Sequence, residues 1–120
     1  MKIELIQVKE FTIAEIISDE VLIQETQDAL DIMAEAGYHG AGRMILYEKN
    51  ITPSFFDLKT GIAGDILQKF SNYRVQLAII GDFSKFKGKS LKDFIFESNR
   101  QGHICFVGSL EEAMACLVKA

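Results

Sequence analysis

The sequence predicts an α/β fold built on a mixed, mainly parallel sheet with an N-terminal β-hairpin and crossover helices. Three observations support this prediction. Strand-like segments alternate with one-sided helical segments after residue 17, two of the strand-like segments are apolar on both faces, and the first two segments alternate in polarity. Because 120 residues have room for one core, we predict a single domain spanning residues 1–120.

The predicted elements follow the order β-β-α-β-α-β-α-β-α. Ile3–Val8 and Phe11–Ile17 form the hairpin, whose first strand is expected antiparallel at an edge. A helix capped by Ser18 or Asp19 follows and ends at Gly37, although residues 21–23 also suit an extended approach to that helix. The apolar runs 44–48 and 75–81 are predicted to be adjacent parallel strands.

The second half of the chain carries further helix signals. Thr52 and Pro53 are typical of a helix start, and Ser54–Phe70 recurs at helical spacing, with two internal glycines that favour a broken helix or a close backbone approach. Ser90 is predicted to cap a helix at 91–99, and Ser109 opens a capping box after a strand at 104–107. We expect these side chains to be buried: Leu46, Leu67, Leu77, Ile79, Phe94 and Val107.

Composition and charge exclude several classes of function. A net charge of −4 disfavours nucleic acid as a partner, and no apolar run approaches the roughly 20 residues that span a bilayer. With no signal-peptide pattern, we expect a cytoplasmic protein that makes no membrane contact. Cys105 and Cys116 are then predicted to be reduced thiols. Neither His39 nor His103 has a ligand partner at metal-binding spacing, so we expect no metal and no cofactor.

Recognisable catalytic motifs are missing from the sequence. Neither nucleotide-binding glycine loop, nor the G-x-S-x-G elbow, nor H-E-x-x-H occurs, so the prediction is that the chain is not an enzyme. Ligands of open parallel sheets bind beyond the carboxyl ends of the strands. One loop expected there is a candidate anion or contact loop, and the alternative is a solvated loop. Its candidate residues are Phe83, Lys85, Phe86, Lys87, Lys89 and Ser90.

The element order and several segments resemble a STAS domain, the fold of bacterial anti-sigma factor antagonists. The resemblance rests on the strand Ile104–Val107 with the helix start 109–114, on the central strand 44–47, and on Thr60–Leu67, which is similar to the Ser-Gly-Leu helix of that family. It implies a STAS-like fold and a regulatory role through a protein partner. Residues 54–70 and 81–85 also look like a small bacterial family known only as a domain of unknown function.

The chain departs from the antagonists where they carry their phosphorylated serine. The tetrapeptide Asp-Ser-Ser-Gly is missing, and matching by the glycine places Thr60 at the phosphoacceptor position, whereas counting from the central strand places Asp57 there. The two registers differ by about one helical turn. Phosphorylation is therefore not carried over to this chain.

Two functions of different classes follow from these observations. The first is a non-enzymatic regulatory module that binds a protein, with Phe55 or Phe56 partly exposed for the partner; burial of both is the structural alternative. The second is a small-molecule or anion binder that uses the carboxyl ends of the strands, and homo-oligomer formation is open in both. The candidate partner or switch residues are Thr52, Ser54, Phe55, Phe56, Asp57 and Thr60.

Overall fold

Five strands lie side by side in their chain order in the computed structural model, which describes residues 1–118. The last two residues of the predicted 1–120 domain lie outside this described part. The strands are β1 (Lys2–Val8), β2 (Phe11–Ile17), β3 (Arg43–Tyr47), β4 (Gln76–Ile80) and β5 (Ile104–Val107). The helices are α1 (Thr26–Tyr38), α2 (Ile62–Asn72), α3 (Lys89–Gln101) and α4 (Leu110–Leu117). The result is an α/β fold with a mixed sheet.

The sheet has the predicted mixture of strand directions. β1 pairs antiparallel with β2 through a two-residue turn in which Lys9 adopts a positive φ of 56°. All other neighbouring strands are parallel. The predicted hairpin and the adjacent parallel pair β3 and β4 are therefore confirmed, and this pair lies inside the sheet rather than at its edge.

The two faces of the sheet are covered unequally. One face packs against α1, α2 and α3 in a large core that includes Met44, Leu77 and Phe70. The other face supports a smaller core, in which Ala113 and Leu117 of α4 pack on the backs of β2, β3 and β4. α4 is thus the one helix in residues 1–118 that covers the second face.

The predicted core is confirmed at four positions and corrected at two. Leu46, Leu67, Leu77 and Ile79 are buried, whereas Phe94 and Val107 are half-buried. Val107 ends an edge strand, and Phe94 belongs to a helix in which Leu91 alone is classed as buried. Elements at the margin of a sheet have fewer neighbours to cover them, and an apolar pattern does not reveal that position.

The predicted cap of α1 by Ser18 or Asp19 was wrong. The helix begins at Thr26, and the carboxylate of Asp28 accepts hydrogen bonds from the backbone N–H groups of Gln24 and Glu25 at 2.9 and 3.2 Å. The segment before it is the extended approach that the sequence left open, since Ile23 forms a parallel bridge with Ile51. At its other end the helix passes Gly37 by one residue.

Two other helix starts also differ from the prediction. Residues 54–70 do not form one helix, because Gly61 adopts a left-handed φ of 79° and separates two 3₁₀ turns from α2. That outcome is the broken helix that the internal glycines suggested. α3 begins two residues early, with Gly88 at its N-cap, so Ser90 is not the cap. Ser109 is confirmed as a cap, since its hydroxyl accepts from the backbone N–H of Glu112 at 3.1 Å, whereas the Glu112 carboxylate accepts from the backbone N–H of Gly108 and so does not complete the predicted box.

The cysteines contradict the prediction of two reduced thiols. Cys105 in β5 and Cys116 in α4 form a disulfide, with Cα atoms 6.8 Å apart. The prediction rested on a cytoplasmic compartment and on the apolar pattern around the two residues. The helix folds back along its preceding strand and brings these residues, 11 apart in sequence, into contact.

No helix within residues 1–118 is long and apolar enough to cross a membrane.

Candidate functional site

Both segments predicted to form a site lie beyond the carboxyl ends of the two central strands. The switch region (residues 52–60) follows β3, and the contact loop (residues 83–90) follows β4. Since β3 and β4 are parallel neighbours, their exits meet at one edge of the sheet. The fold therefore brings together two segments that lie more than 20 residues apart in the sequence.

Hydrogen bonds between residues close in sequence shape the switch region into two 3₁₀ turns. The hydroxyl of Thr52 accepts from the backbone N–H of Ser54 at 3.4 Å, and Pro53 opens the first turn, as predicted for a helix start. The hydroxyl of Thr60 lies 2.8 and 2.9 Å from the carbonyl oxygens of Ser54 and Asp57. It also accepts from the backbone N–H of Ile62 at 3.2 Å, so Thr60 connects the turns to the start of α2.

The prediction that Phe55 or Phe56 is partly exposed was wrong. Both rings are buried, at 2% and 4% exposure. Consecutive side chains of a 3₁₀ turn point about 120° apart, so one helix face cannot bury both. The contact loop covers the second ring, because Phe86 stacks on Phe56 with ring centres 4.5 Å apart and Phe83 lies 5.7 Å away. Packing of the contact loop therefore buries both rings, which is the alternative that the sequence left open.

An ion pair and a close approach fix the contact loop against the exit of β3. Lys85 pairs with Glu48 at 2.8 Å, and the Glu48 side chain is 14% exposed. Glu48 packs over Gly81, where an added Cβ would lie 2.5 Å from the Glu48 Cβ, so a glycine is required at this position. Lys85 therefore serves the fold rather than a free binding surface.

Asp82 shapes the first turn of the same loop. Its carboxylate accepts hydrogen bonds from the hydroxyl and the backbone N–H of Ser84 at 2.6 and 3.1 Å. These bonds favour the charged carboxylate and hold the pKa of Asp82 below its usual value. The local turn thus holds its shape and projects Phe83 toward the core.

A cleft of about 570 Å³ opens between the switch region and the contact loop, and we call it the switch cleft. Its polar lining is cationic, with three lysines and a single carboxylate, Asp57. Lys89 pairs with Asp93 at 2.8 Å, whereas within residues 1–118 no carboxylate pairs with Lys59 or Lys87. The lining residues are Pro53, Phe56, Asp57, Leu58, Lys59, Phe86, Lys87, Gly88, Lys89, Ser90 and Leu91.

An apolar groove of about 340 Å³, the α3 groove, continues from the switch cleft along α3. The two share Phe86 and Leu91, and the α3 groove adds Ile95, Lys92 and Phe96. Phe96 is 69% exposed. The sequence analysis missed these residues, although the run 94–96 carried the signal, since three consecutive apolar side chains cannot share one helix face.

The remaining predicted residues fall outside the switch cleft. Thr60 and Ser54 are exposed and bond to each other rather than line the cleft, and Phe55 lies in the core. Both histidines are at the opposite edge of the sheet, since His39 precedes β3 and His103 precedes β5. Within residues 1–118, no three His, Cys, Asp or Glu side chains cluster in a way that could hold a metal ion.

Comparison of the sequence with known proteins matches the chain to one protein family. The family model of DUF4180, described as a domain of unknown function, matches residues 8–117. No curated protein and no solved structure matches the chain. The matched residues include every strand after β1, all four helices, the switch region and the contact loop.

Proposed function

This chain belongs to the DUF4180 family, and we propose that it is a non-enzymatic, STAS-like regulatory module that binds an acidic segment of a protein partner in the switch cleft. The observation that carries the proposal is the meeting of the switch region with the contact loop around one cationic cleft. The STAS resemblance supports the regulatory part, because the switch region holds both positions matched to the antagonists' serine, Thr60 and Asp57, and lies directly before α2.

Charge favours an acidic partner. The chain carries a net charge of −4, yet the switch cleft is lined by Lys59 and Lys87, with which no carboxylate in residues 1–118 pairs, and by one carboxylate, Asp57. Lys59 and Lys87 are exposed and both line the cleft, one from each segment. A carboxylate between them would be attracted from both sides, and the surrounding negative charge would disfavour binding elsewhere on the surface.

Apolar surface next to the lysines favours a peptide segment over a simple anion. The floor of the cleft consists of the stacked rings of Phe56 and Phe86 together with Leu91. The α3 groove extends this floor and presents the exposed ring of Phe96. A segment with a carboxylate beside a leucine or aromatic side chain would match the lysines and the apolar floor at once.

A peptide-display selection on the purified protein tests the proposal. We expect enrichment of segments that combine Asp or Glu with Leu or an aromatic residue. A recovered peptide should bind the double variant Lys59→Glu, Lys87→Glu more weakly by about tenfold or more, because like charges then face each other. The double variant Lys2→Glu, Lys9→Glu is the matched control, since it reverses two exposed lysines of the hairpin that do not line the cleft.

The opposite results would refute partner binding. Enriched segments without acidic bias, or equal binding to the cleft double variant and to the hairpin double variant, contradict the proposal. The competing function, a small-anion site, is tested with inorganic phosphate alone. Shifted amide resonances of Lys59, Lys87 and Lys89 with phosphate, together with no enriched peptide, would replace partner binding by anion binding.

A further inference from the structure

The Cys105–Cys116 disulfide lies at an open surface cavity, away from the switch cleft. Both cysteines line this cavity of about 310 Å³ together with Asn99, Val107, Glu112 and Ala115. Most disulfides that only staple a core are enclosed, and exchange with another thiol needs access to a sulfur. Here a thiol from solvent has a path to the bond.

The two ends of the disulfide differ in exposure. Cys105 is 4% exposed and belongs to a strand, whereas Cys116 is half-buried on α4. The greater exposure of Cys116 favours attack at its sulfur, with the sulfur of Cys105 as the leaving group. Both sulfurs lie 3.7 Å from the carbonyl oxygen of Gly102, so an acceptor for a weak S–H hydrogen bond is close to each cysteine once the bond is reduced and the sulfurs separate.

The disulfide also holds the helix that covers the second face of the sheet. α4 has only eight residues, too few for an isolated helix to be stable in water. Besides the disulfide, its C-terminal half is held by buried Leu117 and by Arg43, whose Nε donates to the carbonyl oxygen of Leu117 at 2.7 Å. Opening the disulfide would remove the side-chain cross-link that joins this helix to the sheet, and would leave the backbone of residues 108–109 as their covalent connection.

We propose that Cys105–Cys116 is a reversible thiol–disulfide exchange site, attacked at Cys116, whose oxidation state sets how tightly α4 covers the sheet. The reaction partner is a thiol, either glutathione or a dithiol protein. One thiolate attacks Cys116, forming a mixed disulfide and releasing the Cys105 thiolate, which takes up a proton. A second thiolate then attacks the reductant's sulfur in the mixed disulfide. This step forms the oxidised disulfide of the reductant and releases the Cys116 thiolate, which takes up a second proton. Two electrons and two protons pass to the protein.

The wild-type protein tests this directly. It is equilibrated in buffers with different ratios of reduced to oxidised glutathione, quenched and alkylated, and the number of alkylated cysteines is read from its mass. Hydrogen exchange of the backbone amides is measured in the same buffers. We expect two alkylated cysteines in reducing buffer, none in oxidising buffer, and faster amide exchange in residues 110–117 of the reduced protein while β3 and β4 stay protected. A reduced dithiol protein of the thioredoxin type, used in place of glutathione, identifies which source reacts faster.

Single-cysteine variants test the direction of attack. Cys105→Ser should form a mixed disulfide with oxidised glutathione through Cys116, whereas Cys116→Ser should react much more slowly because Cys105 is buried. Equal reaction of both variants would overturn the asymmetry. A wild-type disulfide that forms in no buffer, that opens only on global unfolding, or whose opening leaves exchange in α4 unchanged would overturn the proposal itself.

Discussion

Replacing Phe56 by alanine should destabilise the fold without touching the lysines of the switch cleft. The ring is 4% exposed and lies against Phe55, Phe83 and Phe86, with ring centres 4.9, 5.7 and 4.5 Å away. Truncation removes a buried aromatic side chain and leaves a cavity between the switch region and the contact loop. Changes of this kind cost about 3–5 kcal/mol.

The expected change in melting temperature follows from chain length. Unfolding entropy near the midpoint is about 2.1 cal/mol/K per residue, or about 0.25 kcal/mol/K for 120 residues. A loss of about 3–5 kcal/mol therefore corresponds to a decrease of about 12–20 °C. Such a decrease would be plain in thermal unfolding followed by circular dichroism.

Phe96→Ala is the matched control, since it removes the same side chain from a site that is 69% exposed. Its free energy of unfolding should change by no more than about 0.5 kcal/mol. If Phe56→Ala melts within a few degrees of the wild type, the stacked aromatic contact between the two segments contributes little to stability. The cleft would then be formed by loops that pack only loosely.

Three further outcomes are expected. Gly81→Ala should lower the free energy of unfolding by about 1–3 kcal/mol in denaturant titrations, because its Cβ would overlap the Cβ of Glu48. Asn50→Ala should cost about 1–3 kcal/mol in the same titrations, since the buried amide donates to two backbone carbonyl oxygens at 2.7 and 2.8 Å. Burial first, and then the hydrogen bond to Glu15, raise the pKa of Tyr47 to about 12. Because the pKa of Tyr47 is higher in the folded protein than its ordinary value of 10, the stability that follows from this shift is fully present below pH 10 and is lost between pH 10 and about 12. Tyr47→Phe should lack this loss when the melting temperature is measured from pH 9 to about 12.

The site shows where sequence reasoning succeeded and where it failed. The carboxyl ends of the parallel strands were predicted to be the place for a site, and the described cleft lies at those of β3 and β4, because parallel strands carry their carboxyl ends to one edge. Exposure of Phe55 or Phe56 was predicted wrongly, because a distant loop covers the second ring. Phe96 was missed, since its exposure depends on where α3 lies at the margin of the sheet.

The sequence by itself determined the element types, the hairpin, the central parallel pair and most of the core, since hydrophobic period and turn residues act over a few neighbouring positions. Only the tertiary structure decided the contacts between distant segments. It placed Phe86 on Phe56, paired Lys85 with Glu48, left Lys59 and Lys87 to face the cleft, and joined Cys105 to Cys116. These contacts depend on the angle and distance at which helices and loops pack on the sheet, and a one-dimensional pattern does not encode that geometry locally.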